Sequence, residues 1–252
     1  MPDRRGVPTA ATGFRFDAIG LEGGTVTEVD QTTGSDFPDQ GSRPTGTHQD
    51  DTDPKTWIKR LERPDRYPGL RTDEVIACLQ LKPGEVVADI GSGVGAFTIP
   101  FARAVAPNGT ALAVDIWPDL LAHIREKAVN EGIGNLETVD AKIDDPRLPQ
   151  DRVDAVYFHD VFHNVNDRLG YLQRLVSYLK PSSRIAIVEQ EFDDPIAQKW
   201  DFPEDRITRE QVKAWMAKVG FHLIAEFDTF QGANNLASAG LPERWFVVFA
   251  RG

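Results

Sequence analysis

Three apolar residues, Val86, Val87 and Ala88, lead into Asp89 and then into a turn carrying Gly91, Gly93 and Gly95, so that Val86 to Phe97 reads VVADIGSGVGAF. A short continuous apolar run predicts a strand buried on both faces, as in a parallel sheet. Ala96, Phe97, Ile99, Phe101, Ala102 and Ala104 then continue with helical spacing toward Ala106. The unit is strand, glycine turn, helix. Glycine permits a tight turn and lets a ligand approach without a Cβ in the way. The plain alternative is a turn that serves only close strand-to-helix packing.

The chain after this unit keeps alternating. Strands are predicted over 85–90, 110–116, 135–139, 153–158 and 184–190, and helices over 95–106, 118–131 and 167–179. Helices within 56–80 precede them, with Thr72 expected to cap DEVIACLQL. A last helix, ITREQVKAWMAKVG, is predicted to start at the cap Thr208 and end at Gly220. FHLIAEFD and RWFVVFAR then follow as two strands with no helix between them, which predicts an antiparallel pair. The expected fold is α/β: a Rossmann-like, doubly wound, seven-stranded sheet, mostly parallel, with a C-terminal antiparallel hairpin. Residues 1–54 are rich in Gly, Thr, Asp and Pro and read as a flexible tail, with a short hairpin conceivable in GFRFDAIGLEGGTVTEV. Residues 55–252 read as one domain.

The glycine turn admits few ligand classes. A P-loop needs G-x-x-x-x-G-K-[ST], and no Lys-Ser or Lys-Thr pair follows these glycines. A dinucleotide turn is written G-x-G-x-x-G; here the third glycine comes one residue early and Ala96 stands sixth, a residue which that turn accepts. A nicotinamide dinucleotide, and with it an oxidoreductase, stays as the second reading. Asp89 favours a different ligand, because a carboxylate at the pocket repels a pyrophosphate and attracts an ammonium. Asp115, twenty residues after Gly95, ends the strand TALAVDI where an acid reaches ribose hydroxyls, and Ile116 and Trp117 are placed to flank an adenine.

His159, Asp160, His163, Asn164 and Asn166 follow the strand VDAVYF, at the strand end where open sheets place ligands. His163 is the candidate general base, since an unperturbed imidazole titrates near neutrality. Asp160 is the candidate for orienting a nucleophile or attracting a cation. For both histidines a packed structural role is the alternative. Tyr157, Phe158 and Phe162 are expected to offer an aromatic wall to a flat or partly apolar acceptor.

Charge narrows the partners. With 28 basic and 39 acidic residues the net charge is −11, which argues against sequence-independent nucleic-acid binding and for a small molecule. Lys59, Arg60, Arg63 and Arg66 form a local basic patch able to meet an anion, read here as a solvated helix face. The lone cysteine, Cys78, sits among apolar neighbours as a small core residue, and no residue cluster has metal-ligand spacing, so no metal is expected. No apolar run approaches the roughly 20 residues of a membrane span, and no apolar stretch follows the basic residues near Met1, so a cytoplasmic protein is expected.

The pattern D-x-G-x-G-x-G from Asp89 to Gly95 resembles the first motif of the class I S-adenosylmethionine (SAM) methyltransferases, in particular bacterial small-molecule enzymes akin to those of ubiquinone and menaquinone biosynthesis. The resemblance runs from about Trp57 to Arg251. It implies SAM as cofactor and transfer of its methyl group to an oxygen, nitrogen or carbon of a small molecule, with a SAM-binding, non-catalytic partner protein as a further alternative. By the same resemblance Asp89, Gly91, Ser92, Gly93, Gly95, Asp115, Ile116 and His159 fall on the cofactor side, and Asp144, four residues before Leu148, is matched to an acid that receives the adenine amino group, with Asp140 and Asp145 as competitors. LKPSSRIAIVEQEF resembles the family's turn into its fifth strand, except that Ser182 and Ser183 replace two glycines. Glu189 or Glu191, at the end of that strand, is a candidate to line the substrate opening. The oligomeric state is left open.

Overall fold

A computed structural model describes residues 53–64, 66–191, 206–231 and 243–252. The tail expected over 1–54 lies outside the described residues, apart from its last two. Helix α1 spans Pro54–Leu61, with the Asp53 carboxylate accepting from the Lys55 N–H at its start. A 3-10 turn, Tyr67–Leu70, leads to α2, Thr72–Cys78. Thr72 is not the cap expected of it. Arg71, left-handed at φ 49°, takes the cap position and pairs through its Nε with Glu74 at 2.7 Å, so that Thr72 is already helical.

Strand β1 (Val86–Ile90), α3 (Thr98–Val105), β2 (Thr110–Asp115), α4 (Pro118–Asn130) and β3 (Leu136–Asp140) make the first half of the sheet. Strand β4 (Val153–His159), α5 (Arg168–Ser177) and β5 (Leu179–Gln190) follow. Then come α6 (Arg209–Lys218), β6 (Phe221–Gln231) and β7 (Arg244–Arg251). Thr208 and Gln211 form the reciprocal cap expected at the start of α6. The strands lie in the order β3-β2-β1-β4-β5-β7-β6. Neighbours among β1 to β5 are parallel, whereas β7 runs antiparallel to both β5 and β6. The seven-stranded sheet with its antiparallel C-terminal pair is therefore the one expected.

Side-chain parity shows why helices cover both faces. Val87, Ala111, Ala155 and Tyr157 pack with Val75 of α2, Leu79 just after it, and Phe101 and Val105 of α3. Their strand neighbours Ala88, Leu112, Val156 and Phe158 pack on the opposite face with Leu172 and Leu175 of α5 and Val212 and Met216 of α6. Strands β1, β2, β4 and β5 thus feed two cores, which is why apolar residues follow one another along them, whereas the edge strand β3, LETVD, does not.

One element begins earlier than expected. The Lys-Pro-Ser-Ser stretch, read as a turn before a strand at 184, lies inside β5: Val153 pairs with Leu179, and Ala155 next pairs with Arg184, leaving 180–183 as a wide bulge. Lys180 reaches from that bulge to Asp154 at 2.8 Å, and Asp154 also accepts the Val86 N–H at 2.8 Å, tying the starts of β1, β4 and β5 together. Among the described residues no helix is long and apolar enough to cross a membrane.

Candidate active site

Strand order reverses between β2 and β4 on either side of β1, and the loops that leave these strands diverge there. The opening is a cavity of about 370 Å³ walled by the glycine turn after β1, by Asp115 to Trp117 after β2, by Ala141 to Ile143 after β3 and by His159 to Val161 after β4. Trp57, Arg60 and Leu61 of α1 complete it, together with Arg66 and Arg244.

The glycine turn is fixed from below. The Val114 carbonyl accepts from the N–H groups of Gly91 and Ser92 at 2.8 and 3.1 Å, and the Asp115 carboxylate accepts from the Gly93 N–H at 2.9 Å. Gly91 has φ 69°, and a Cβ there would lie 2.5 Å from Val161 Cγ2, so both conformation and contact require glycine. Gly95 is placed differently from Gly91, Ser92 and Gly93: it faces Ile124 of α4, where a Cβ would sit 3.3 Å from the side chain, and it serves packing behind the cavity. The Ser92 hydroxyl lines the cavity, is buried, and has no hydrogen-bond partner.

Two acids stand at the strand ends. Asp89 is 3% exposed and accepts from the Thr98 hydroxyl at 2.5 Å. Burial pushes its carboxyl up to about 7, the hydroxyl of Thr98 opposing and the charge of Asp115 adding to the rise. Asp115 is raised by burial as well, against the N–H groups of Gly93 and Trp117 that favour its charge. Ile116 and Trp117 face the cavity beside it.

After β4, the His159 ring packs 4.8 Å from that of Phe97. Asp160 adopts φ 50° and lies in the fork of Arg244, whose Nε and Nη2 donate to it at 2.8–2.9 and 2.6 Å. Although burial opposes it, the Arg244 guanidinium holds the Asp160 carboxyl far below the usual range. Its charge is thus engaged within the protein, and a role in attracting a cation would require breaking that pair. His163 lines the cavity, and its Nδ1 lies 2.8 Å from Oε2 of the fully buried Glu189. The other oxygen of Glu189 accepts from the backbone N–H groups of Val161, Phe162 and His163 at 3.0, 2.6 and 3.2 Å. A carboxylate accepts only, so Nδ1 carries the proton and the Nε2 of a neutral ring is the basic atom.

Three expectations are corrected. Asp144 does not reach the cavity: its largely exposed side chain pairs with Arg174 at 3.0 Å, and Ala141, Lys142 and Ile143 form the wall instead. Its competitors Asp140 and Asp145 are not in the lining either; Asp145 accepts from Tyr178 at 3.0 Å. Tyr157, Phe158 and Phe162 are core residues, fully buried, and the aromatic lining comes from Trp57, Phe97, Trp117 and Tyr171. Of the basic patch read as a solvated face, Arg60 and Arg63 are exposed but Arg66 is half-buried, and all three stand along the cavity. Arg244 went unnoticed because its partner Asp160 lies 84 residues away, beyond any local spacing rule.

Residues 87–182 match the family model described as a methyltransferase domain. Over 130 residues the chain is 32% identical to the ubiquinone/menaquinone biosynthesis C-methyltransferase UbiE of Pasteurella multocida, covering 50% of this chain and 48% of that protein. The chain spans about half the length of the curated relatives it matches, the Vibrio campbellii protein of the same description being 31% identical over 129 residues. Its fold matches a SAM-dependent methyltransferase from Aquifex aeolicus with a TM-score of 0.68 at 22% identity, over 80% of this chain and all of that one. It also matches the magnesium protoporphyrin IX methyltransferase of Synechocystis with bound SAM, TM-score 0.57 at 17% identity, over 80% of this chain and 85% of that one. The resemblance drawn from Asp89 to Gly95 holds in sequence and in fold: the chain is akin to the class I SAM-dependent methyltransferases.

Proposed function

We propose that this protein is a SAM-dependent methyltransferase that acts in the cytoplasm on a small molecule, at oxygen, nitrogen or carbon. The observation that carries this reading is the joint placement of buried Asp89, buried Asp115 and the partnerless Ser92 hydroxyl on one glycine-lined cavity. These groups fit the cofactor. Asp89 would receive the ammonium of its amino-acid tail, and Asp115, which keeps acceptor capacity beyond its two backbone N–H donors, would receive ribose hydroxyls. Ser92 would find its missing partner there, and Ile116 and Trp117 would flank the base. When bound, SAM supplies a methyl group on a sulfonium, open to in-line attack by the acceptor.

The residues after β4 supply the rest. Glu189 holds the His163 ring by Nδ1, and Nε2 is the atom that would take a proton from an acceptor hydroxyl or ammonium. Alignment of acceptor and methyl group is the larger contribution, worth up to several kcal/mol of barrier. The UbiE relatives are C-methyltransferases, which brings a carbon acceptor within range as well. The nicotinamide reading is disfavoured, because Asp89 and Asp115 would face a pyrophosphate and no Tyr is followed four residues later by Lys. Calorimetric titration with SAM, S-adenosylhomocysteine and NADH decides between them. Binding of the first two is expected, and binding of NADH alone would overturn the proposal.

A further inference from the structure

In a chain of net charge −11, the described residues that line the cavity include five cationic side chains, Arg60, Arg63, Arg66, Lys142 and Arg244, and three acids, Asp89, Asp115 and Asp160. Their arrangement around Asp160 is uneven. Asp160 is gripped by Arg244 through three contacts, so its hydrogen-bonding capacity is directed to that guanidinium. Arg66 stands half-buried beside them, its Nη1 donating to the Leu61 carbonyl at 3.2 Å, a neutral partner. Burial disfavours the Arg66 charge most; Asp160 opposes this in part, and the nearby Arg244 and Arg60 guanidiniums add to it, leaving the charge disfavoured on balance. Like charges gathered in a partly desolvated site are costly unless an anion joins them. The cofactor does not relieve this, because SAM with its sulfonium, ammonium and carboxylate is itself a net cation.

We propose that the methyl acceptor carries an anionic oxygen group, a carboxylate or a phosphate, seated on Arg66 with Arg60 and Arg63 beside it. This rests on the methyltransferase reading and adds the acceptor's charge. A planar guanidinium fork suits either group in bidentate fashion. Acceptors that bear only a positive charge are disfavoured, since they would meet Arg66 and the sulfonium together.

The test uses the full chain saturated with S-adenosylhomocysteine, titrated calorimetrically with benzoate, phenyl phosphate and neutral benzamide. At least one anion is expected to bind about tenfold or more tightly than benzamide, a gap of about 1.4 kcal/mol. Which anion leads tells carboxylate from phosphate. Arg66→Gln should abolish the preference and leave S-adenosylhomocysteine affinity unchanged, with Arg66→Lys retaining part of it. If Arg66→Gln does not fold, the wild-type preference is read against salt, and it should shrink severalfold between about 50 and 500 mM NaCl. Equal binding of all three probes, or no binding by any at about 10 mM, overturns the proposal alone. So does an Arg66→Gln protein that keeps the anion preference but loses S-adenosylhomocysteine, since Arg66 would then hold the cofactor's carboxylate. Failure of the wild type to bind S-adenosylhomocysteine overturns the methyltransferase reading and this one with it.

Discussion

Asp89 answers two opposed demands. Burial disfavours its charge, whereas an ammonium ligand needs that charge. Its folded pKa of about 7 exceeds an unfolded value near 3.9, so folding takes up a proton between those values and its contribution to stability declines as pH rises from about 4 to about 7. Asp89→Asn should therefore raise the melting temperature at pH 8 by a few degrees while weakening S-adenosylhomocysteine binding at least about tenfold, which scanning and titration calorimetry would read. A loss of stability with unchanged affinity would make Asp89 a packing residue. His163 and Glu189 give a second expectation. His163→Gln should lower kcat far more than it raises the KM for SAM, and Glu189→Gln should lower kcat with little change in that KM. Wild-type kcat in a folded Glu189→Gln protein would refute its positioning role. Asp89 and Asp115 were legible in the sequence because a strand end followed by a turn fixes where a side chain emerges. Asp144 was misread because a loop acid's direction depends on its partner, here Arg174 of α5, thirty residues further along.

The elements were legible where one strand serves two cores, since β1, β2 and β4 write their burial as unbroken apolar runs. The bulge at 180–183 was not, because Lys-Pro-Ser-Ser has a turn's composition and only pairing of Leu179 with Val153 places it within β5. The contact between the glycine turn and the segment after β4 was equally hidden, and it carries a prediction. Gly91→Ala must hold a left-handed φ and drive a methyl into Val161, costing about 1–3 kcal/mol and displacing the turn that bears His163. Urea denaturation should show the loss, and adding Val161→Ala should recover part of it, a coupling that strain at Gly91 alone would not give.

For the whole molecule, burial raises Asp89 to about 7, so the melting temperature without ligand should fall as pH rises from about 4 to about 7, and the raised Asp115 acts in the same sense. Asp160 acts in the opposite sense. Its lowered pKa stabilises the fold above about 3.9 and is lost only in stronger acid, outside that window. Saturating S-adenosylhomocysteine should flatten the decline, because its ammonium favours the ionised carboxylate; a parallel decline with and without ligand would separate the acids from the cofactor. The strand order has a consequence for the chain as it is made. Strand β1 pairs with β2 on one side, but its other neighbour is β4, whose register with Val87 begins at Ala155. A nascent chain that has not yet reached Val153 therefore presents the apolar run Val87 to Ile90 as an open edge, inviting pairing with another chain. A fragment ending near residue 150 should accordingly scatter light at micromolar concentration where the full chain does not.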